Sequence, residues 1–142
     1  MASLAFAGRR HARERALELM YEAEMKSISP DAVLDLQSIV PDDYTVQIMH
    51  GIEEHQDWID TQISTYSYKW DIERLAVVDK QLLRIALYEI YFADEIPTAV
   101  AIDEAIELAK QFSTEDSPKY INGILGNIVN EKDDEKDNSG DL

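Results

Sequence analysis

The sequence predicts an all-α fold, and three observations carry that expectation. The 142 residues include only 5 glycines and 4 prolines, too few turn formers for a many-stranded sandwich or barrel. Apolar residues recur at helical spacing along most of the chain. Helix-start signals, Ser29-Pro30-Asp31, Pro97-Thr98 and Asp116-Ser117-Pro118, divide these periodic stretches. With 45% hydrophobic and 30% charged residues, the chain forms one globular domain with a core of its own.

Residues 1–8 are expected to be a loose arm. From Arg9 to about Lys26, Ala12, Ala16, Leu19 and Ala23 fall at helical spacing, with Leu17 and Met20 beside them. Ser29 can cap and Pro30 can occupy the first position of a short helix to about Gln37. Pro41-Asp42-Asp43 opens another, in which Ile48, Ile52, His55, Ile59, Ile63 and Tyr66 form one stripe. The stretch Tyr68-Lys69-Trp70-Asp71 breaks the pattern.

Ala76 to Ala93 is apolar around most of its circumference, interrupted mainly by Asp79, Lys80, Gln81, Arg84 and Glu89, as expected for the central helix of a bundle. The next helix runs from Pro97-Thr98 to about Ser113, with Ile102, Ala105, Ala109 and Phe112 on its apolar side. In the last, Ser117 can cap, Pro118 needs no amide partner, and Ile121, Ile124, Leu125, Ile128 and Val129 face inward. From Glu131 to Asp141 there is no apolar residue to bury, so 131–142 reads as a disordered acidic tail.

With 13 Lys+Arg against 29 Asp+Glu the net charge is −16, which disfavours binding nucleic acid through the overall field. The first fifteen residues are the exception, with Arg9, Arg10, Arg13 and Arg15 against Glu14 alone. Residues 16–130 carry 7 basic and 22 acidic side chains. The absence of cysteine excludes disulfides, thiolate catalysis and zinc knuckles, and fits a reducing compartment. The apolar opening is too short for a secretory signal and precedes its arginines, and no apolar run approaches a membrane span, so a cytoplasmic protein is expected.

Catalytic and metal signatures fail in turn, and no enzyme activity, metal or cofactor is expected. The residues three before His11, His50 and His55 are Gly8, Gln47 and Ile52, so no Glu-x-x-His pair exists. His50 and His55 stand about 140° apart around a helix and cannot share an ion; His55, on the apolar stripe, reads as a packed core histidine. Asp103, Glu104 and Glu107 read as a solvated face with Glu107 and Lys110 paired. Gly123-Ile-Leu-Gly126 matches a Gly-x-x-Gly clamp literally, but it flanks an apolar stripe, where glycines serve close helix packing.

Two signals remain. Arg9, Arg10 and Arg13 lie in the first turn of a predicted helix, where cations oppose the helix dipole unless an anion arrives. The alternative pairs Arg10 with Glu14 and leaves the others solvated. Asp116, Lys119, Tyr120 and Asn122 surround one helix start, combining an aromatic ring, an amide, a carboxylate and a cation suited to single-stranded RNA. The alternative makes Asp116 a dipole partner and Tyr120 a half-buried core edge.

Four ordered blocks, residues 9–21 (RRHARERALELMY), 82–89 (LLRIALYE), 101–112 (AIDEAIELAKQF) and 115–125 (EDSPKYINGIL), make the sequence resemble the NusB family of transcription antitermination factors. Residues 27–70 match only in helical character and length. The resemblance implies about seven helices in two small packed subdomains, about 9–66 and 71–130. It further implies a non-catalytic adaptor that binds boxA single-stranded RNA in nascent ribosomal RNA transcripts together with ribosomal protein NusE, within an RNA polymerase complex containing other Nus factors.

By the same resemblance, Arg9, Arg10, Arg13, Asp116, Lys119 and Tyr120 face RNA, and Tyr21 and Asp79 face the protein partner. His11 departs from the uninterrupted arginine run common in the family. The acidic body repels RNA, so the isolated protein should bind it poorly and need its basic partner. Competing readings are a protein-interaction module, such as a homodimer hiding the arginine patch, and the RNA-binding part of a ribosomal RNA methyltransferase.

Overall fold

The computed structural model describes residues 2–67, 72 and 75–140, with side chains described for 8–67, 72 and 75–133. Six helices and no strand occur among the described residues: α1 (Ala2–Lys26), α2 (Pro30–Asp35), α3 (Asp43–Tyr66), α4 (Val77–Phe92), α5 (Thr98–Phe112) and α6 (Ser117–Gly140). A kink at His55 (φ −113°, ψ 17°) divides α3, giving seven helical segments. The break expected at 68–71, and with it the boundary between two subdomains, lies outside the described residues.

The expected caps work at α2, where Ser29 Oγ accepts a hydrogen bond from Ala32 N at 3.1 Å and Pro30 opens the helix. Both chain ends depart from expectation. Residues 2–8 continue α1 as helix, since alanine and leucine have high helix propensity and extend an established helix without new nucleation. Residues 131–140 continue α6 instead of forming a disordered tail. Lys132 Nζ lies 5.8 Å from the centre of the Trp58 ring on α3, a cation–π contact at the start of this extension.

α4 is the hub, packed against α1, α3, α5 and α6. Its residues from Asp79 to Glu89 are all buried, and one apolar cluster runs through them from Leu19 and Met20 on α1 and Ile52, Ile59 and Ile63 on α3 to Ile121 and Leu125 on α6. The polar residues that interrupt α4 are buried too, and each binds a neighbouring element. Arg84 makes two 2.8 Å hydrogen bonds to Asp60 on α3 and reaches Glu24 on α1 at 3.2 Å. Lys80 and Gln81 also donate to Glu24. These ion pairs keep the charged groups of the central helix compensated away from water.

His55 is not a core residue. At the kink its side chain is 33% exposed, and its ring stacks on Phe92 with centroids 3.7 Å apart. Gly123 and Gly126 do not bring helices together either, because a Cβ at either position would meet nothing within 4 Å. Close approach occurs at Gly51, where a Cβ would lie 1.9 Å from Tyr88 Cε1.

Candidate nucleic-acid interface

Three of the four arginines of α1 meet carboxylates of α4, α5 and the turn between them. Arg13 is 1% exposed, and its Nε lies 2.9 Å from both carboxylate oxygens of Glu89, itself 1% exposed. The Tyr44 hydroxyl donates to Glu89 from α3, and the Tyr44 ring lies beside the Arg13 guanidinium. Burial pushes the Glu89 carboxyl above the usual range, although Arg13 and Tyr44 pull it down; burial and the Glu89 charge together raise the Tyr44 phenol strongly. Thr45 donates to the Ala12 carbonyl at 3.0 Å, seating α3 on the same turn of α1.

Arg10 donates from Nε (3.0 Å) and Nη2 (2.8 Å) to the two oxygens of Glu104, a bidentate fork. The hydrogen bond from Arg10 holds Glu104 below the ordinary carboxylate range, with burial opposing. Arg9 reaches the exposed Glu95 at 3.2 Å. In place of the alternative pairing with Glu14, Arg10 thus pairs across helices. Glu104 belongs to the buried side of α5, not to a solvated face, while Glu107 and Lys110 do pair, at 3.1 Å.

At the start of α6, Tyr66, Ser67, Asp116, Lys119, Tyr120 and Gly123 contribute to a groove of about 490 Å³. Asp116 and Lys119 are exposed, and Tyr120 is half-buried, its hydroxyl oxygen enclosed and without a hydrogen-bond partner. Burial, and then the Asp79 charge, raises the Tyr120 phenol. The expected capping by Ser117 gives way to another arrangement: its hydroxyl donates to Asp79 Oδ2 at 2.9 Å, and Ser113 donates to Asp79 Oδ1 at 2.6 Å.

The structure therefore sorts the candidate residues. Arg9, Arg10, Asp116 and Lys119 reach solvent, and Tyr120 borders the groove. Arg13 does not reach solvent: it is an internal anchor of α1 on α4, and a phosphate cannot approach it in this arrangement. Of the two partner-facing candidates, Tyr21 is 43% exposed, whereas Asp79 is 7% exposed and fastens the α5–α6 turn. The two signals are not one patch. Asp79 and Glu89 mark them at opposite ends of α4, ten residues or about 15 Å apart along the axis.

Sequence reasoning missed Glu89, Tyr44 and Glu104 as partners of the arginines. The signal for Glu89 was present, since a carboxylate on a helix apolar around most of its circumference requires a cation when buried. Nothing local assigned that cation to Arg13, 76 positions earlier.

An all-helical scaffold with paired arginines at one end of its central helix and a groove bordered by Asp116, Lys119 and Tyr120 at the other defines a helical binding protein. The chain belongs to the NusB family, whose family model matches residues 10–130. It is 42% identical over 137 residues to the transcription antitermination protein NusB of Beutenbergia cavernae, covering 87% of this chain and 90% of that protein. With the NusB of Salinispora arenicola it shares 45% identity over 128 residues, covering 85% and 94%.

Among solved structures, T. maritima NusB superposes with a TM-score of 0.77 at 37% identity, covering 87% of this chain and 91% of that one. A chain of the crystal structure of antitermination factors NusB and NusE in complex with dsRNA has a TM-score of 0.72 at 22% identity, a likeness of fold, covering 86% and 96%. None of the helices among the described residues is long and apolar enough to cross a membrane.

Proposed function

We propose that this protein is a cytoplasmic transcription antitermination adaptor that acts without catalysis. It binds boxA single-stranded RNA in nascent ribosomal RNA transcripts together with ribosomal protein NusE, and joins RNA polymerase and other Nus factors. The observation that carries this reading is the family match over residues 10–130, which spans both Arg10 and the groove at Asp116, Lys119 and Tyr120. Arg9 and Arg10 contact phosphate, while Tyr120 offers an aromatic face and Asp116 a carboxylate to bases. Arg13 and Asp79 act from inside, by positioning α1 and the α5–α6 turn. NusE docks on the side of α1 that exposes Tyr21.

A second reading, a protein-interaction module without autonomous RNA binding, draws on the carboxylate paired with each of Arg9, Arg10 and Arg13. Fluorescence anisotropy of a labelled boxA strand and a scrambled control, with and without NusE, separates the two. The adaptor shows a NusE-dependent preference for boxA. Partner binding without any preference leaves the interaction module.

A further inference from the structure

The segment that is positive in sequence is neutral in the fold. Arg9 is matched to Glu95, Arg10 to Glu104 and Arg13 to Glu89. Glu95 is 82% exposed, so that pair opens readily to solvent. The Arg13–Glu89 pair is sealed. Glu104 differs from both, because its side chain is 10% exposed while that of Arg10 is 57% exposed, so the pair straddles the surface.

Behind that pair is an unused donor. Arg13 Nη1 is buried without a hydrogen-bond partner, and it lies 3.7 Å from Glu104 Oε2, just beyond bonding distance. A buried guanidinium N–H without an acceptor is costly, and an arrangement that supplies one recovers part of that cost.

We propose that Glu104 is a carboxylate gate with two alternative arginine partners. In the free protein it chelates Arg10; when a nucleic-acid phosphate draws Arg10 outward, it closes on Arg13 Nη1. The proposal deepens the RNA-binding reading, since it rests on Arg10 facing phosphate. Phosphate and carboxylate present the same paired acceptors to a guanidinium fork, so Arg10 exchanges one for the other without loss of geometry. Glu104 is never left as an uncompensated buried charge, because Arg13 remains beside it. The gate weakens phosphate binding by the free chain and confines Arg10 to a defined position until RNA arrives.

The test uses the full chain and a fluorescein-labelled oligouridine strand, followed by anisotropy at several salt concentrations. Glu104→Gln keeps the side-chain length and an acceptor for Arg13 but removes the charge. It should tighten oligouridine binding about three- to tenfold, because the substitution weakens the charge-assisted pair that phosphate must displace. In an Arg10→Ala background the same change should give no gain. Equal affinity of Glu104→Gln and the unaltered protein would refute the gate, and so would an equal gain with Arg10 absent, which would mark a general charge effect.

A second measurement does not depend on a variant that folds. In arginine-labelled unaltered protein, NMR of the guanidinium groups should show both Arg10 and Arg13 shifting on saturation with oligouridine, with slower exchange at Arg13. An unchanged Arg13 signal at saturation excludes the relay, and failure to bind oligouridine even at about 50 mM salt excludes phosphate engagement altogether. Oligouridine carries no boxA sequence. A gate effect with no boxA preference therefore sinks only the adaptor reading, while boxA preference without coupling between positions 10 and 104 sinks only the gate.

Discussion

Arg13 and Glu89 face each other across the contact between α1 and α4, each 1% exposed, with Nε 2.9 Å from both carboxylate oxygens. An arginine that by position belongs to a phosphate-binding run is thus spent on joining the first helix to the central one. Removing one partner strands the other. Arg13→Met should cost about 3–5 kcal/mol of stability, and Arg13→Met with Glu89→Leu should recover much of that loss. Urea denaturation of the two single variants and the double variant measures the coupling; additive losses would show the pair to be incidental.

The salt dependence of RNA binding separates Arg10 from Arg13. If Arg10 neutralises one phosphate, Arg10→Ala should reduce the single-strand slope of log K against log salt by about 0.7. The more conservative Arg13→Lys should leave that slope unchanged, since a buried cation releases no counterion. A reduction of the slope by Arg13→Lys would show that Arg13 reaches RNA.

Gly51 admits the Tyr88 ring, with an added Cβ only 1.9 Å from Cε1. Alanine would ordinarily improve a helix interior, yet Gly51→Ala should destabilise by about 1–3 kcal/mol through overpacking. Thermal unfolding of Gly51→Ala with and without Tyr88→Ala tests this. The second change should reverse the sign of the first, restoring the usual advantage of alanine.

Ser27 ends α1 in the left-handed region, φ 56°, with Ile28 N bonded to Ala23 O at 3.0 Å. That position favours glycine, and Ser27→Gly should stabilise by about 1 kcal/mol. A lower urea midpoint for the variant would contradict this account of the helix end.

Acid should loosen the fold through Glu104 and Glu24. The Arg10 hydrogen bond holds Glu104 below its ordinary value; at Glu24, burial pushes upward but Lys80 and Arg84 prevail and hold it low. A depressed carboxyl stabilises the fold above its unfolded value, about 4.3, and that contribution is lost as pH falls through the folded value. Glu89, raised by burial, acts oppositely: its contribution is largest below the unfolded value and declines as pH rises through the folded one. Urea midpoints at pH 7 and pH 3 should therefore differ less for Glu24→Gln than for the unaltered chain. An unchanged difference would exclude Glu24 as a source of acid sensitivity.

Asp79 and Tyr21 should separate stability from partner binding. Asp79→Ala leaves the hydroxyls of Ser113 and Ser117 without their acceptor and should cost about 1–3 kcal/mol. Tyr21→Ala, at an exposed position, should change stability by less than about 0.5 kcal/mol yet weaken NusE binding. Paired urea denaturation and calorimetric titration with NusE would decide, and unaltered NusE affinity for Tyr21→Ala would remove it from the interface.

The helices were legible in the sequence because their determinants are local. Periodicity placed Ile48, Ile52, Ile59 and Ile63 on one buried stripe, and Ser29-Pro30 marked a cap that forms as expected. The four blocks also carried the family. Local composition was a poorer guide at the chain ends, where the 131–140 segment lacks apolar residues yet continues the helix α6. What only the tertiary structure decided was the fate of each charge. Arg9, Arg10 and Arg13 look alike in sequence and, at i, i+3 and i+4 spacings, share one face of α1, but the packing of α4 over that face buries Arg13, a turn further along, and leaves Arg9 and Arg10 at the rim. The carboxylates that receive them come from residues 76 to 94 positions away. Burial and ion pairing are properties of packed surfaces, and no local pattern specifies which distant carboxylate a guanidinium will meet.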